Sequence, residues 1–157
     1  MQVYHEFPPV YDENSKVLVL GSIPSVKSRE EGFYYMHPKN RFWKVLESVF
    51  GEEILDKKEF CLQHGIALWD TCASCKIHAS SDASIKNIVP NDLEVIFQKA
   101  KIKQIFTTGK KAHEIYQKYL YPIYKKEDIC LPSTSPANAK MKLEDLIKEY
   151  QVIIKYL

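Results

Sequence analysis

The chain is expected to fold as an α/β protein: a three-layer α-β-α sandwich around a small, four-stranded, mostly parallel sheet. Three observations predict it. Short apolar runs suited to strands buried on both faces alternate with stretches at helical spacing. The strand-like runs are themselves short, as expected of a small parallel sheet. The length, 157 residues, fits one domain spanning 1–157 that can bury a core without disulfides or metal.

The elements follow in order. Residues 1–15 read as an irregular lead-in, because Pro8 and Pro9 block regular structure. "KVLVLG", 16–21, is an apolar run ending in Gly, the pattern of a buried parallel strand. After a loop, "NRFWKVLESVF" places Phe42, Val45, Leu46 and Val49 on one helix face. "KKEFCLQHG" is a short helix stopped by Gly65, and "IALWD", 66–70, a second strand. A polar loop leads to the helix "DLEVIFQKA", for which Asn91 is a cap. "IKQIFTTG", 102–109, is a third strand and "KKAHEIYQKYL" the helix after it, a region ended by Pro122. "EDICLP", 127–132, is a fourth strand, and a long helix from about Lys140 to Tyr156 closes the chain.

The totals exclude some classes. No run of 18 apolar residues exists, so no membrane span is expected. The first residues lack the apolar segment of a signal peptide, so a cytoplasmic protein with reduced cysteines is expected. A net charge of +2 tolerates a polyanionic partner without demanding one. Ten tyrosines hint at a stacking surface.

In a parallel sheet, ligands bind where the carboxyl ends of strands open into loops. Four loops meet that description: 21–40, 70–90, 107–110 and 131–139. "GSIPS", 21–25, allows tight turning at Gly21 and stiffness at Pro24, with hydroxyls at Ser22 and Ser25. It reads as a clasp for a base or phosphate, or as an ordinary strand-to-loop turn. "YYMHPKNRFW", 34–43, is denser in chemistry. Aromatic faces stack on bases, worth roughly 1–3 kcal/mol each. Asn40 carries a donor and an acceptor on a turn stiffened by Pro38, and its bland role is a helix cap. His37 is of the residue type that can switch charge in a site, although a structural hydrogen bond is the role favoured for it. "LPSTSPAN", 131–138, offers hydroxyls and N–H groups between two prolines, fit to grip phosphates or to start a helix at Ser135 and Pro136. "CASC", 72–75, with Cys61 and Cys130, makes four cysteines, but no second pair has matching spacing, so no metal is expected. "TTGKKA" lacks the glycine and hydroxyl of a phosphate-binding loop.

Taken in order, "LVLGSIPS", "YYMHPKNRFWKVL", "GIALWD" and "LPSTSPAN" resemble the uracil-DNA glycosylase superfamily over roughly residues 16–140. The set looks most like the hypoxanthine-DNA glycosylase branch, with similarity to the mismatch-specific uracil/thymine branch. The resemblance implies a monofunctional, cofactor-free enzyme of base excision repair. Such an enzyme extrudes a deaminated base (hypoxanthine favoured, uracil or xanthine as alternatives) and hydrolyses its N-glycosidic bond. It implies Asn40 as the catalytic residue and Tyr35 with Ser22, Ile23 and Pro24 as the base-binding wall. Ser25, Ser133, Ser135 and Asn138 are implied as DNA contacts, with charge contacts from Lys27, Lys39 and Arg41. His37, Asp70 and Asp82 are auxiliary candidates. The first motif usually carries Asp or Asn two residues after its Gly, or Glu one after; here those positions are Ile23 and Ser22. The second motif often begins with His or Asn; here it begins with Leu131. DNA containing deaminated bases is the expected partner, bound by a monomer. The alternatives are a non-catalytic lesion-binding module of the same fold and a hydrolase of small nucleotides.

Overall fold

A computed structural model describes residues 1–77 and 85–157. Four strands, β2 (Val17–Gly21), β3 (Ile66–Asp70), β6 (Gln104–Thr108) and β7 (Asp128–Leu131), form one sheet in the order β3-β2-β6-β7. Every neighbour pair in it is parallel. The central strand β2 is buried at all five positions, which explains its unbroken apolar sequence. Its alternate side chains separate two cores. Val17 and Val19 face one cluster with Phe42, Val45, Leu46, Leu146 and Tyr150, while Leu18 and Leu20 face a second with Leu93, Ile96, Tyr116 and Leu120. These are the two helical layers of the sandwich. The first includes α2 (Phe42–Phe50) and α7 (Leu143–Tyr150); the second includes α4 (Glu94–Phe97) and α5 (Lys110–Ile115).

Other helices bridge the strands. α1 (Val26–Glu31) follows β2, and α3 (Lys57–His64) is capped by Asp56, whose side chain accepts from the Glu59 N–H, and ended by Gly65 at φ 75°.

Five expectations need correction. The lead-in is not wholly irregular: β1 (Gln2–Tyr4) pairs antiparallel with β4 (Cys72–Lys76), and Val10 bridges to Leu68. The polar segment after β3 holds β4 and β5 (Lys86–Pro90), so β1-β4-β5 make a second, antiparallel sheet. Pro90 is tolerated because β5 lies on that sheet's edge. Asn91 does not cap a helix. It is buried, and its Nδ2 donates to the carbonyls of Asp70 (2.8 Å) and Cys72 (3.0 Å), tying down the turn that leaves β3. Pro122 does not end the helical region. A π-turn (Tyr116–Leu120) runs into α6 (Tyr121–Tyr124), where Pro122 sits in the first turn and needs no hydrogen-bonded N–H. The C-terminal helix is shorter than expected, α-helical only over Leu143–Tyr150 and then a 3₁₀ stretch Gln151–Tyr156.

Candidate active site

A cavity of about 490 Å³ opens at the carboxyl ends of β2, β3 and β6. That size is ordinary for a small-molecule or nucleobase site. Ser22, Ile23, Pro24, Ser25, Tyr35, His37, Asn40, Asp70, Ser133 and Ser135 all line it. Residues scattered from position 22 to position 135 are thus gathered by the sheet at one place. Asn138 is not among the lining residues, and Asp82 lies outside the described residues.

Gly21 explains how the floor is built. It pairs in register with Asp70 on the neighbouring strand. A Cβ at position 21 would stand 2.5 Å from Asp70 Oδ1, 3.4 Å from the Tyr35 hydroxyl and 3.6 Å from Thr108 Oγ1. Only a residue without a side chain lets these three groups converge. Asp70 is 4% exposed, and its Oδ2 accepts from His5 Nε2 at 2.8 Å. His5 comes from the segment after β1, where its backbone N–H is held by the Ala73 carbonyl.

Tyr35 forms the wall. Its φ of 56° is left-handed, a conformation that costs a residue of its type of order 1–3 kcal/mol unless the surroundings enforce it. They do. One ring face stacks on Phe42 at 3.9 Å and 16°, and the hydroxyl bonds Thr108 Oγ1 at 3.2 Å. Burial, with Asp70 nearby, pushes the Tyr35 phenol far above its ordinary range, so it stays neutral. Phe42 and Trp43 are both buried, and Trp43 Nε1 donates to the Tyr34 carbonyl at 3.0 Å.

Asn40, half-buried, also lines the cavity. Its Oδ1 accepts twice, from the Phe42 N–H at 2.9 Å and from the Thr134 hydroxyl at 2.8 Å. The first bond stabilises the start of α2, so the capping role is real. The backbone donor also fixes which end of the amide is oxygen. The NH₂ end is therefore the part that Asn40 can offer to a ligand.

The late loop is braced rather than loose. Tyr150 donates to the Pro132 carbonyl at 2.6 Å, and the Arg41 N–H to the Thr134 carbonyl at 3.1 Å. The Arg41 guanidinium donates to the Met141 and Asn138 carbonyls, a bracing duty rather than a charge held out for a partner. Ser133 Oγ accepts from the Ser135 N–H and Ser135 Oγ from the Ala137 N–H. No helix starts at Ser135: the segment is a turn, and these hydroxyls stabilise it locally. Asn138 Nδ2 donates to the Ser133 carbonyl at 2.9 Å, so its side chain shapes the loop from behind. Lys27 pairs with Glu31 at 2.9 Å on the surface.

Ile23 lines the cavity and packs against the small cluster of Val3, Cys75, Ile77 and Ile85. The second sheet thus gives this apolar side chain a place to pack. His37 Nδ1 accepts from the Lys39 N–H at 3.0 Å, which orders the turn before Asn40. Ser25 caps α1, its hydroxyl accepting from the Ser28 N–H at 3.1 Å. None of the four cysteines is in a disulfide, and burial pushes the Cys61 thiol up to about 12. Among the described residues no three His, Cys, Asp or Glu side chains gather as a metal site.

Sequence reasoning missed three contributors. Thr134 stood between two serines that drew attention for their hydroxyls, yet it is the one buried and bonded to Asn40. Thr108 ended an ordinary strand. His5 lay in a segment with no periodicity to announce it.

A sheet of parallel strands with a cleft at their carboxyl ends, lined by Tyr35 and by a serine- and proline-rich loop, defines an α/β protein with its pocket at the strand ends. The profile of the Uracil DNA glycosylase superfamily matches residues 8–157. The chain belongs to that superfamily. Two relatives carry the name hypoxanthine DNA glycosylase. The one from Methanosarcina barkeri is 32% identical over 142 residues, covering 87% of this chain and 89% of its own. The one from Methanosarcina acetivorans is 32% identical over 156 residues, covering 96% and 97%. A solution NMR structure from Methanosarcina acetivorans, provisionally described as a uracil DNA glycosylase, superposes with a TM-score of 0.77. It is 30% identical, and the match covers 94% of this chain and 96% of that one. No helix among the described residues is long and apolar enough to cross a membrane.

Proposed function

We propose that this enzyme, a DNA glycosylase by family, hydrolyses the N-glycosidic bond of a flipped-out deaminated base, hypoxanthine first among them, in base excision repair. The observation that carries the reading is the Asn40 amide lining the same cavity as Tyr35, its oxygen held by two donors and its NH₂ bonded to no group among the described residues. Two relatives named for hypoxanthine support the choice of base.

The chemistry follows from which end of Asn40 is available. The nucleotide leaves the duplex at a cost of a few kcal/mol, less where it is mispaired. Its base enters between Tyr35 and the backbone of 22–24. The bond from the sugar C1′ to the base nitrogen breaks with its electron pair going to the base. Water adds to C1′, and the proton it loses passes through solvent to the departed base, leaving a neutral free base and an abasic site. An amide whose oxygen already accepts two hydrogens is no base for that water. It is a donor, and its place is against the charge growing on the departing base, where a preorganised hydrogen bond in a dry site is worth most. Ser25, Ser133 and Ser135, at the rim, contact phosphates through the groups their local bonds leave over.

The test is strand scission by hot alkali of an end-labelled duplex carrying one deoxyinosine, with free deoxyinosine run alongside. Scission of the duplex, and its loss in Asn40→Ala, supports the reading. Binding without scission would point to the lesion-binding module, and cleavage of the free nucleoside alone to a small-molecule hydrolase.

A further inference from the structure

The second sheet, β1-β4-β5, has two faces, and one of them packs on the body of the protein. Val3, Cys75, Ile77 and Ile85 lie on that side and pack with Ile23. Ile23 and Ile77 also line the cavity. The outer face carries two cross-strand rows. Gln2, Lys76 and Lys86 stand in register, and Tyr4, Ser74 and Val89 form the neighbouring row. Tyr4 is 58% exposed and Val89 53%, and Gln2 and both lysines are exposed as well.

A bulge sets the two lysines face to face. From Ser74 to Lys76 β4 advances two residues, while β5 spans three between Val89 and Lys86. The extra residue is accommodated with Asn87 at φ 53°, a left-handed conformation that asparagine tolerates better than most residues. In an unbroken ladder Asn87 would stand opposite Lys76; Lys86 stands there instead. Like charges directly opposite destabilise an antiparallel pair. Among the described residues no carboxylate pairs with either lysine. The free protein therefore carries a repulsion at this spot that an anion would relieve.

We propose that this outer face binds an unpaired DNA strand, Lys76 and Lys86 holding adjacent phosphates and the Tyr4 ring stacking on a base. The proposal takes its partner from the glycosylase reading and deepens it by naming the strand state of the substrate. A cationic surface with an exposed aromatic ring holds single strands without reading their sequence. Bases within a duplex offer their edges to the grooves and keep their flat faces stacked on one another, so Tyr4 gains a stacking partner only where the strand is unpaired. The face is also continuous with the cavity. Ile77, on the cavity wall, directly follows Lys76 in the chain. A strand whose nucleotide occupies the cavity passes beside the lysines as it leaves the rim.

The test is fluorescence anisotropy on the whole protein with a short, lesion-free oligothymidine, either single-stranded or annealed to its complement. Single-strand binding should weaken about tenfold in Tyr4→Ala and stay within about twofold of wild type in Tyr4→Phe, which keeps the ring. The double variant Lys76→Gln with Lys86→Gln should make the log–log salt slope for the single strand shallower by about 1.4, about 0.7 for each phosphate contact removed. Unchanged single-strand affinity and slope in these variants would overturn the proposal. So would losses confined to the annealed form, which would mark the face as a duplex contact.

A measurement on the wild-type protein needs no variant to fold. Irradiation with a single strand carrying 5-iodouracil, followed by peptide mapping, should find adducts on the peptide that contains Tyr4. Adducts confined to other peptides overturn the proposal. Adducts at Tyr4 in a protein that leaves deoxyinosine DNA intact would uphold this face while removing the glycosylase reading.

Discussion

Asn40 engages its oxygen with Phe42 and Thr134, and that decides what substitution should do. Asn40→Ala removes the donor and should lower kcat on deoxyinosine duplexes by about 100-fold or more, the scale of losing one charge-stabilising hydrogen bond. Asn40→Asp separates two mechanisms. If the residue activated water, a carboxylate would serve as well or better. As a donor to a departing anion it must fail, because Asp brings charge and no hydrogen. Activity in Asn40→Asp equal to wild type in single-turnover assays would reject the donor role. Thr134→Val unpins one lone pair and should cost a smaller factor, about 5- to 10-fold, for a bond worth about 1 kcal/mol. The asparagine was legible because it stands in a turn crowded with aromatics. Its orientation was not, since that depends on a threonine 94 positions away in the chain. His5 was hidden for the same reason: a short strand of three residues places it against Asp70, and three residues carry no periodic signal.

Among elements, the strands that sequence reveals and those that it conceals differ in burial. β2, β3, β6 and β7 are apolar runs because helices cover their sheet on both faces. β4 and β5 read as a polar loop because CASCK and KNIVP hold no unbroken apolar run and their pairing is broken by register shifts, and β1 finds its partner about 70 residues away. The late loop is held to α2 by Arg41. Its guanidinium bonds two carbonyls, so Arg41→Lys should not replace it, the fork being what matters. We expect both Arg41→Lys and Arg41→Ala to lower stability by about 1–3 kcal/mol in urea melts. Their salt dependence of duplex binding should match wild type. A shallower slope in Arg41→Ala would instead make it a phosphate contact.

For the whole molecule, two measurable trends follow. Binding to duplex DNA should weaken as salt rises, linearly in log–log form, since phosphate contacts release counterions. Stability should also fall in alkali. Burial raises Cys61 from near 9 to about 12, and it raises Tyr34, Tyr35, Tyr116 and Tyr150 as well. For a group whose folded-state value is raised, the unfolded chain gives up its proton first. The stabilisation is complete below the unfolded value and drains away as pH climbs toward the folded one. Urea melts between about pH 8 and 11 should therefore show falling midpoints, with a gentler fall in Cys61→Ala. Midpoints that hold level over that range would contradict the assignment of these buried acids.

Gly21 offers the smallest lever on this architecture. A single methyl placed there would press on Asp70 Oδ1 from 2.5 Å. Gly21→Ala is thus a one-carbon wedge beneath the pocket. It should shorten the well at the cavity floor, so that scission of a deoxyinosine duplex falls in Gly21→Ala while the salt dependence of duplex binding stays that of the wild type.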